Sequence, residues 1–484
     1  APSMATADTL FEHAGRLLPH AKQKQGHLQL DRAEIKFVAP DALLDSAITA
    51  DLLLVDEAAA IPTSMLEKLL NKFSRIVFAT TLHGYEGTGR GFVIRFQKIL
   101  DKTTPNWRAL QMSTPIRWAK DDKLEAFSFE SLLLNASPVE DELIIEANSD
   151  ACEFEHVDRT ELLNDEQSLK ELFGLMVLAH YRTRPSDLQM MLDREDVSVY
   201  VMREQGHIVA SAWLVAEGEL DDSLSSAVYA CNRRIKGHLL PQSLLAHVGI
   251  PTAGALSYQR IIRIAVHPAI QHRGIGQRLL SNIEQHLETK QCDLLGASFA
   301  VSTELLNFWY QASFVPVKLG LHQDDVSGSK AVMMLKACSS KGQTVFALAH
   351  QRLAEQWSYL LSSHLKQVDA ELLIAVSQLI STKPVALSEL NKQEVNAFAF
   401  EQRGFEFSHY SLTLWLREKL SQPQFLQLDG GLQALCLKAI LQQQDWTEIC
   451  AELPYTGKKQ AISALRDAVR ILLSFESNTL HAGK

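Results

Sequence analysis

The stretch Arg260–Leu280, RIIRIAVHPAIQHRGIGQRLL, constrains the fold more than any other part of the chain. An apolar run rich in Ile and Val ends at Val266, Pro268 interrupts it, and QHRGIG leads into GQRLLSNIEQHLE, whose apolar residues recur at three and four spacings. The pattern predicts a buried strand, a tight turn and an amphipathic helix. A strand that hands over to a helix in this way aims consecutive backbone N–H groups and a helix N-terminus at one point, which suits an anion. Gly274 and Gly276 carry no side chain that would keep a pyrophosphate from the backbone. The alternative is a simple strand-to-helix turn that binds nothing.

The flanking sequence divides into three regions. Up to residue 137, the apolar runs EIKFVAP, ADLLLVDEAAAIP, RIVFATTL and WRALQMS alternate with helical patterns and lack a two-residue period, which predicts a parallel sheet covered on both faces. Residues 138–338 begin with helical stretches (QSLKELFGLMVLAHY, RPSDLQMMLDRE) and continue into VSVYVMREQGHIVASAWLVAEG, a hairpin turning at Gln205 and Gly206. The Arg260–Leu280 unit, the strand CDLLGASFA, the helix STELLNFWYQASF and a last strand near AVMMLKA come next, so this region is mixed α/β with an antiparallel half. Residues 339–484 read as almost entirely helical. The expected fold class is therefore α/β, with a mainly helical C-terminal domain.

Six scattered cysteines without a C-x-x-C pair argue against a zinc ribbon or a disulfide framework, and no apolar run is long enough to span a bilayer. The expected location is the cytoplasm, with no membrane contact, and a monomer is the favoured state. The net charge of -10 lies wholly on the first 338 residues, because residues 339–484 balance their acidic and basic side chains. A neutral C-terminal third permits a polyanionic partner.

In LLLVDEAAAIP, Asp56 and Glu57 sit just past an apolar strand. Adjacent carboxylates of different reach at a strand's C-terminal edge can hold Mg²⁺ and orient a water in nucleotide hydrolases; the alternative is an acidic helix cap. The loop LHGYEGTGRGF comes after the next strand and could sense a nucleotide. No G-x-x-x-x-G-K-[ST] motif occurs, so either this domain does not hydrolyse ATP or its P-loop lay before Ala1; the chain opens in what reads as the end of a strand, which favours the second expectation.

The order of the QHRGIG loop, DLLGASF and FWYQASFVPV resembles the GNAT-type N-acetyltransferases, whose loop of this pattern binds the pyrophosphate of acetyl-CoA. Many of those enzymes carry Tyr five residues before a Phe, where it protonates the leaving thiolate. Here Trp309 has that spacing from Phe314, Tyr310 is one place along, and Ser313 stands where Gly is usual. A general-acid role and a packing role are both open for Tyr310.

With TTLHGYEGTGRGF, STPIRWAKDDKLE and GHLLPQSLLAHVG added, the whole chain resembles the tRNA(Met) cytidine acetyltransferase family. The resemblance implies a partial RecA-like helicase domain (1–137), a GNAT-type acetyltransferase domain (138–338) and a helical tRNA-binding domain (339–484). It also implies acetyl-CoA, ATP with Mg²⁺, and N4-acetylation of the wobble cytidine of elongator methionine tRNA. On this resemblance the acetyl-CoA site includes Ile264, Ala265 and Val266, the loop Gln271, His272, Arg273, Gly274, Ile275, Gly276 and Gln277, and Glu304 and Gln311 further on. The ATP site includes Asp56, Glu57 and Arg117, the last of which reads otherwise as a surface arginine.

A cytidine amine is neutral, so rate should come from holding it against the thioester and from donors facing the developing oxyanion. His267 is the candidate proton acceptor; the alternative is a histidine that caps the strand end. Candidate RNA contacts are Arg233, Arg234 and Lys236 in CNRRIKGH, and Lys458, Lys459, Arg466 and Arg470 near the end, with solvated helix faces as the alternative. Two other functions fit the motifs: a protein or small-molecule N-acetyltransferase, and an RNA-remodelling ATPase that uses the acetyltransferase fold as a scaffold. Gly276→Glu is expected to abolish acetyl-CoA binding in calorimetry, since a carboxylate would occupy the phosphate position; unchanged affinity would sink the cradle assignment.

Overall fold

Two-residue turns set the first structure the chain makes. In the computed structural model, which describes residues 1–45, 47–81, 89–179, 183–323, 330–380 and 386–482, β1 (Lys22–Lys24), β2 (His27–Leu30) and β3 (Ala33–Lys36) form an antiparallel sheet in that order. The connections turn at Gly26 and Asp31, both with positive φ. EIKFVAP therefore ends an antiparallel meander and does not join a parallel sheet. Its strand is mostly exposed. The small core beneath is Phe11 and Ala7 of helix Met4–Leu17 against Leu28.

The parallel pairing expected of the N-terminal region is present in β4 (Leu53–Val55) and β5 (Ile76–Phe78), in register from Leu53↔Ile76 to Val55↔Phe78. Helix Thr63–Lys72 is the crossover, and Leu66, Leu69 and Phe73 pack with Val55, Ala58, Ala59 and Ile61. WRALQMS forms no strand: Leu110 is 95% and Met112 90% exposed, and their segment makes no ladder. Apolar content without a neighbouring strand to receive it does not make a strand.

The larger sheet has seven strands: β6 (Glu153–His156), β7 (Val197–Glu204), β8 (His207–Gly218), β9 (Ser257–Val266), β10 (Leu294–Ala300), β11 (Val315–Gln323) and β12 (Lys330–Ala337). Their order is β11-β12-β10-β9-β8-β7-β6. The β7–β8 hairpin turns at Gln205 and Gly206 with φ of 50° and 86°, the two successive positive values of a type I′ turn. β9 and β10 run parallel, from Leu294↔Tyr258 to Ala297↔Ile261, and β9 itself continues to Val266. β10–β12, β11–β12 and β6–β7 are antiparallel.

The chain separates into two compact units, one gathering Ala1–Leu214 and Ile262–Asn282, the other Val215–Ile261 and nearly all of the chain from Ile283 onward. The division falls within β8 and β9 themselves. In the second unit, helices Ser340–Ser362, Ala370–Gln378, Glu389–Phe400, Phe405–Lys419, Trp446–Glu452 and Lys458–Ala482 make the C-terminal region helical, as the periodicity predicts. Trp357 Nε1 donates to Ser377 Oγ at 2.8 Å inside this bundle. Among the described residues no helix is long and apolar enough to cross a membrane.

One residue joins sheet to bundle in the second unit. The Asp293 main chain donates to Ser257 O at 2.9 Å and accepts from Cys338 N at 2.9 Å. Its carboxylate takes the Ser257 N–H at 3.1 Å and the hydroxyl of Ser339, which also caps helix Ser340–Ser362 by accepting from Gly342 N. Gly342 lies so close that a Cβ there would stand 2.0 Å from Asp293 O. Gly342→Ala is expected to cost about 2 kcal/mol or more, as overpacking against backbone does. A lowered urea midpoint for unfolding of the second unit would register it, and an unchanged midpoint would contradict this close packing.

Candidate functional site

β9 delivers its backbone from Ile264 to Val266 to the start of the glycine loop. Gln271 leaves the short turn Pro268–Ile270 in an extended conformation, and its Nε2 donates to Val266 O at 3.1 Å, closing the loop on the strand that precedes it. His272 and Gly274 have φ of 62° and 80°, so the chain reverses through left-handed geometry before helix Ile275–Glu288 begins. A Cβ on Gly274 would meet only Ser149 atoms, at 3.8 Å. The glycine is needed for its backbone angle, and the space above it is open. The first intrahelical bond runs from Arg278 N to Gly274 O at 3.0 Å, so the N–H groups of Ile275 and Gly276 precede the helical ladder. This arrangement fits a pyrophosphate: exposed loop residues 271–274, an uncrowded glycine and the positive end of a helix of fourteen residues.

Arg273 is not an open phosphate ligand. Its Nη1 donates to Ile145 O at 2.5 Å and Ala147 O at 3.1 Å, and Nη2 to Ala269 O at 3.4 Å. Arg278 likewise reaches Ser149 O and the Asp150 carboxylate. Both arginines fasten the loop to residues 145–150.

His267 is 2% exposed. Its Nδ1 accepts from Ala269 N at 3.3 Å, capping the turn, so the proton sits on Nε2, which donates to Val139 O at 3.0 Å. Both nitrogens are thus engaged, and the capping reading describes the residue; no ring lone pair is open to receive a proton from a substrate. Burial holds its pKa below 6.5, against the opposing pull of Asp141, whose Oδ1 lies 3.7 Å away.

Glu304 and Gln311 lie exposed at the two ends of helix Thr303–Gln311 in the second unit. In the same helix Trp309 is 3% exposed, stacked on Phe299 at 5.6 Å and edge-on to Phe314 at 4.9 Å. Trp309 is core, and Tyr310 points out. Ser313 has φ of 67°, a backbone state that glycine adopts without strain.

In the first unit Asp56 and Glu57 stand immediately beyond β4, as the sequence predicts. Glu57 has φ of 49°, its N–H donates to Asp56 Oδ1 at 3.1 Å, and its Oε1 accepts from Thr80 Oγ1 at 3.3 Å. Thr80 in turn accepts from Ala59 N at 3.4 Å, so the turn after β4 is tied to the end of β5. Arg117 is exposed in the segment before helix Lys123–Ser131. Residues 82–88 of the glycine-rich loop lie outside the described residues.

Of the basic candidates, Arg233, Arg234, Lys236, Lys458, Lys459 and Arg470 are exposed. Lys458 pairs with Glu406 at 2.7 Å. Arg466 points inward to the carbonyls of Phe398, Glu401 and Arg403 with its guanidinium over the Phe398 ring at 4.4 Å, while the exposed Arg470 donates to Ala399 O at 2.6 Å and pairs with Asp467 at 2.7 Å. They tie off the C-terminal end of helix Glu389–Phe400, whose carbonyls need donors.

Sequence reading overlooked the partners of the two arginines within β9. Arg260 Nε meets the fully buried Glu217 at 2.5 Å, and Glu217 also accepts from Leu240 N at 2.8 Å. Arg263 Nη2 meets Asp187 at 2.9 Å, and Nη1 lies 3.4 Å from Thr183 Oγ1. Two guanidiniums in an apolar strand require carboxylates, but nothing in the spacing selects residues 43 and 76 positions away.

Three family models match the chain in order: "RNA cytidine acetyltransferase NAT10/TcmA, helicase domain" over residues 1–135, "GNAT acetyltransferase 2" over 171–294 and 286–339, and "tRNA-binding domain" over 342–478. The chain is 41% identical over 475 residues to the tRNA(Met) cytidine acetyltransferase TmcA of Nitrosococcus halophilus, which covers 98% of this chain and 64% of that protein. It is 35% identical to the Vibrio cholerae protein of the same name, with the same two coverages, and 33% identical to that of Haloarcula marismortui, covering 90% and 56%. The chain thus spans less than two thirds of the length of these relatives.

The burial of His267 sets a pH dependence. The folded state keeps it neutral below the 6.5 at which an exposed histidine titrates, so the unfolded chain binds the extra proton and stability falls as pH drops below 6.5 toward the lowered folded value. His267→Gln is expected to shrink that loss when thermal unfolding is compared above and below this window; an equal loss in variant and wild type would contradict a buried neutral imidazole.

Proposed function

Because the chain belongs to the tRNA(Met) cytidine acetyltransferase family, we propose that it transfers the acetyl group of acetyl-CoA to the exocyclic N4 amine of the wobble cytidine of elongator methionine tRNA, with ATP assisting. The observation that carries the reading is the strand–turn–helix at 257–288, with left-handed His272 and Gly274 and the N–H groups of Ile275 and Gly276 ahead of the helical ladder. Acetyl-CoA supplies a thioester, whose thiol is a good leaving group with a pKa of about 8.5.

In this reading the backbone of Gln271 to Gln277 holds the pyrophosphate, while Arg273 and Arg278 keep the loop in shape from behind. Ile264, Ala265 and Val266 offer strand backbone to the pantetheine arm, with the Val266 carbonyl already taken by Gln271. Glu304 and Gln311 are further contacts for the cofactor. Attack forms the N4–C bond, the C–S bond breaks, and the amine proton goes to the departing thiolate. The thiolate is basic enough to take it, so His267 is left to its turn. Rate comes from holding the neutral amine in line and from backbone donors at the developing oxyanion.

Asp56 and Glu57 are the groups that would hold Mg²⁺ and orient water at ATP, with Arg117 against the phosphates; remodelling of the anticodon loop gives access to a base that must leave its stack. Arg233, Arg234, Lys236 and Lys459 are the exposed cations that best suit RNA, with Lys458 available on breaking its exposed pair with Glu406.

The test is transfer of label from acetyl-CoA to methionine tRNA, with the product nucleoside identified after digestion. N4-acetylcytidine at the wobble position is the expected product, and acetylation of protein or polyamine substrates in its place would overturn the reading. Glu57→Gln is expected to lower ATP-stimulated transfer by about 100-fold or more while leaving acetyl-CoA affinity unchanged.

A further inference from the structure

His247 and Lys318 form a contact between two groups of the same charge type. The ammonium of Lys318, on β11, lies 2.8 Å from Nδ1 of His247, in the turn Ser243–Val248. An ammonium can only donate, so the imidazole must accept and stay neutral. The positive charge of Arg234 adds to that of Lys318 in disfavouring a proton on the ring. No acidic residue pairs with Lys318, His247 or Arg234 among the described residues, whereas Arg203, Arg260, Arg263 and Lys336 each meet a carboxylate.

Among the described residues, the acids of the surrounding elements have other partners or lie exposed. Asp221 caps helix Asp222–Tyr229, whose first turn carries the exposed Asp222; Glu217 is committed to Arg260 and Leu240 N; and Glu355, on helix Ser340–Ser362, accepts from Gln351. From the same long helix Arg352 Nε donates to Val248 O at 2.6 Å and His350 Nδ1 lies 3.0 Å from Pro316 O, adding one more cation and one more imidazole to this face. His247 is exposed and Lys318 half-buried, so the pair is reachable from solvent. A cluster that gathers cations and leaves out anions is held at an electrostatic cost that an incoming anion removes.

We propose that Lys318 and His247 form a clamp for a backbone phosphodiester of the RNA substrate, which grips more tightly once His247 takes a proton. The proposal rests on the tRNA reading above. Protonation ends the Lys318–His247 bond and frees two charged donors for one phosphate, a charge-assisted arrangement stronger than either alone. Partial burial, Lys318 and Arg234 in that order hold His247 below its ordinary 6.5 in the free protein. A bound phosphate reverses the last two influences, so RNA binding and proton uptake at this residue favour each other.

The experiment measures the affinity of the whole chain for a methionine tRNA transcript across a salt series at about pH 6 and about pH 8. Lys318→Gln should weaken binding about tenfold and lower the log–log salt slope by about one. Wild-type affinity should fall from the lower pH to the higher, and His247→Gln should flatten that fall. Melting temperature and acetyl-CoA affinity of both variants should match wild type. Wild-type tRNA affinity and slope in Lys318→Gln, or a pH dependence unaltered in His247→Gln, would overturn the clamp alone. Loss of acetyl-CoA binding in its place would assign the cluster to the cofactor and overturn the clamp too. Failure of the wild-type chain to bind tRNA at all would overturn the functional reading with it.

Discussion

Asp293 is the contact on which the second unit depends. Through two backbone bonds and two carboxylate bonds it holds the start of β9, the start of β10, the end of β12 and the first turn of helix Ser340–Ser362. The parallel pairing of β9 with β10 begins one residue later. One residue, through its main chain and its carboxylate together, therefore joins the start of β9 to the end of β12 and to the first turn of the helix that leaves the sheet. Asp suits the position because its two oxygens can satisfy a main-chain N–H and a hydroxyl at once.

Much of this was legible. The strand–turn–helix at 257–288, the Gln205–Gly206 hairpin, the Asp56–Glu57 turn and the helical last third each arise from a local signal: a period, a glycine pair or an apolar run with a sharp end. The misreadings share a cause. EIKFVAP and WRALQMS are apolar enough to be strands of a parallel sheet, but pairing is decided by neighbours distant in sequence. The short turns at Gly26 and Asp31 had already committed the first of them to a meander. β6, only four residues long with an acidic pair in it, carries too little pattern to be seen at all.

The site divides in the same way. Residue types in the glycine loop implied the anion cradle, and the loop's backbone angles agree with it. The side chains within the loop do not all serve it, however. Gln271, Arg273 and His267 spend their polar atoms on carbonyls and an amide of their own surroundings, and Arg466 and Arg470 do the same at a helix end. A basic or titratable residue beside a motif satisfies buried backbone first, because an unpaired carbonyl costs more than a solvated charge gains. The Lys318–His247 contact departs from this economy, since it brings two nitrogen groups together with no acceptor oxygen between them.

The shortness of β6 has a consequence of its own. As the last strand in the order it presents an unpaired edge, the usual template for a strand from another molecule. Four residues offer few ladder bonds, and of their two acids Glu155 is already paired with Arg203 at 2.5 Å. On this side the sheet thus ends in a strand that lies beside β7 and is too short to template much growth beyond itself.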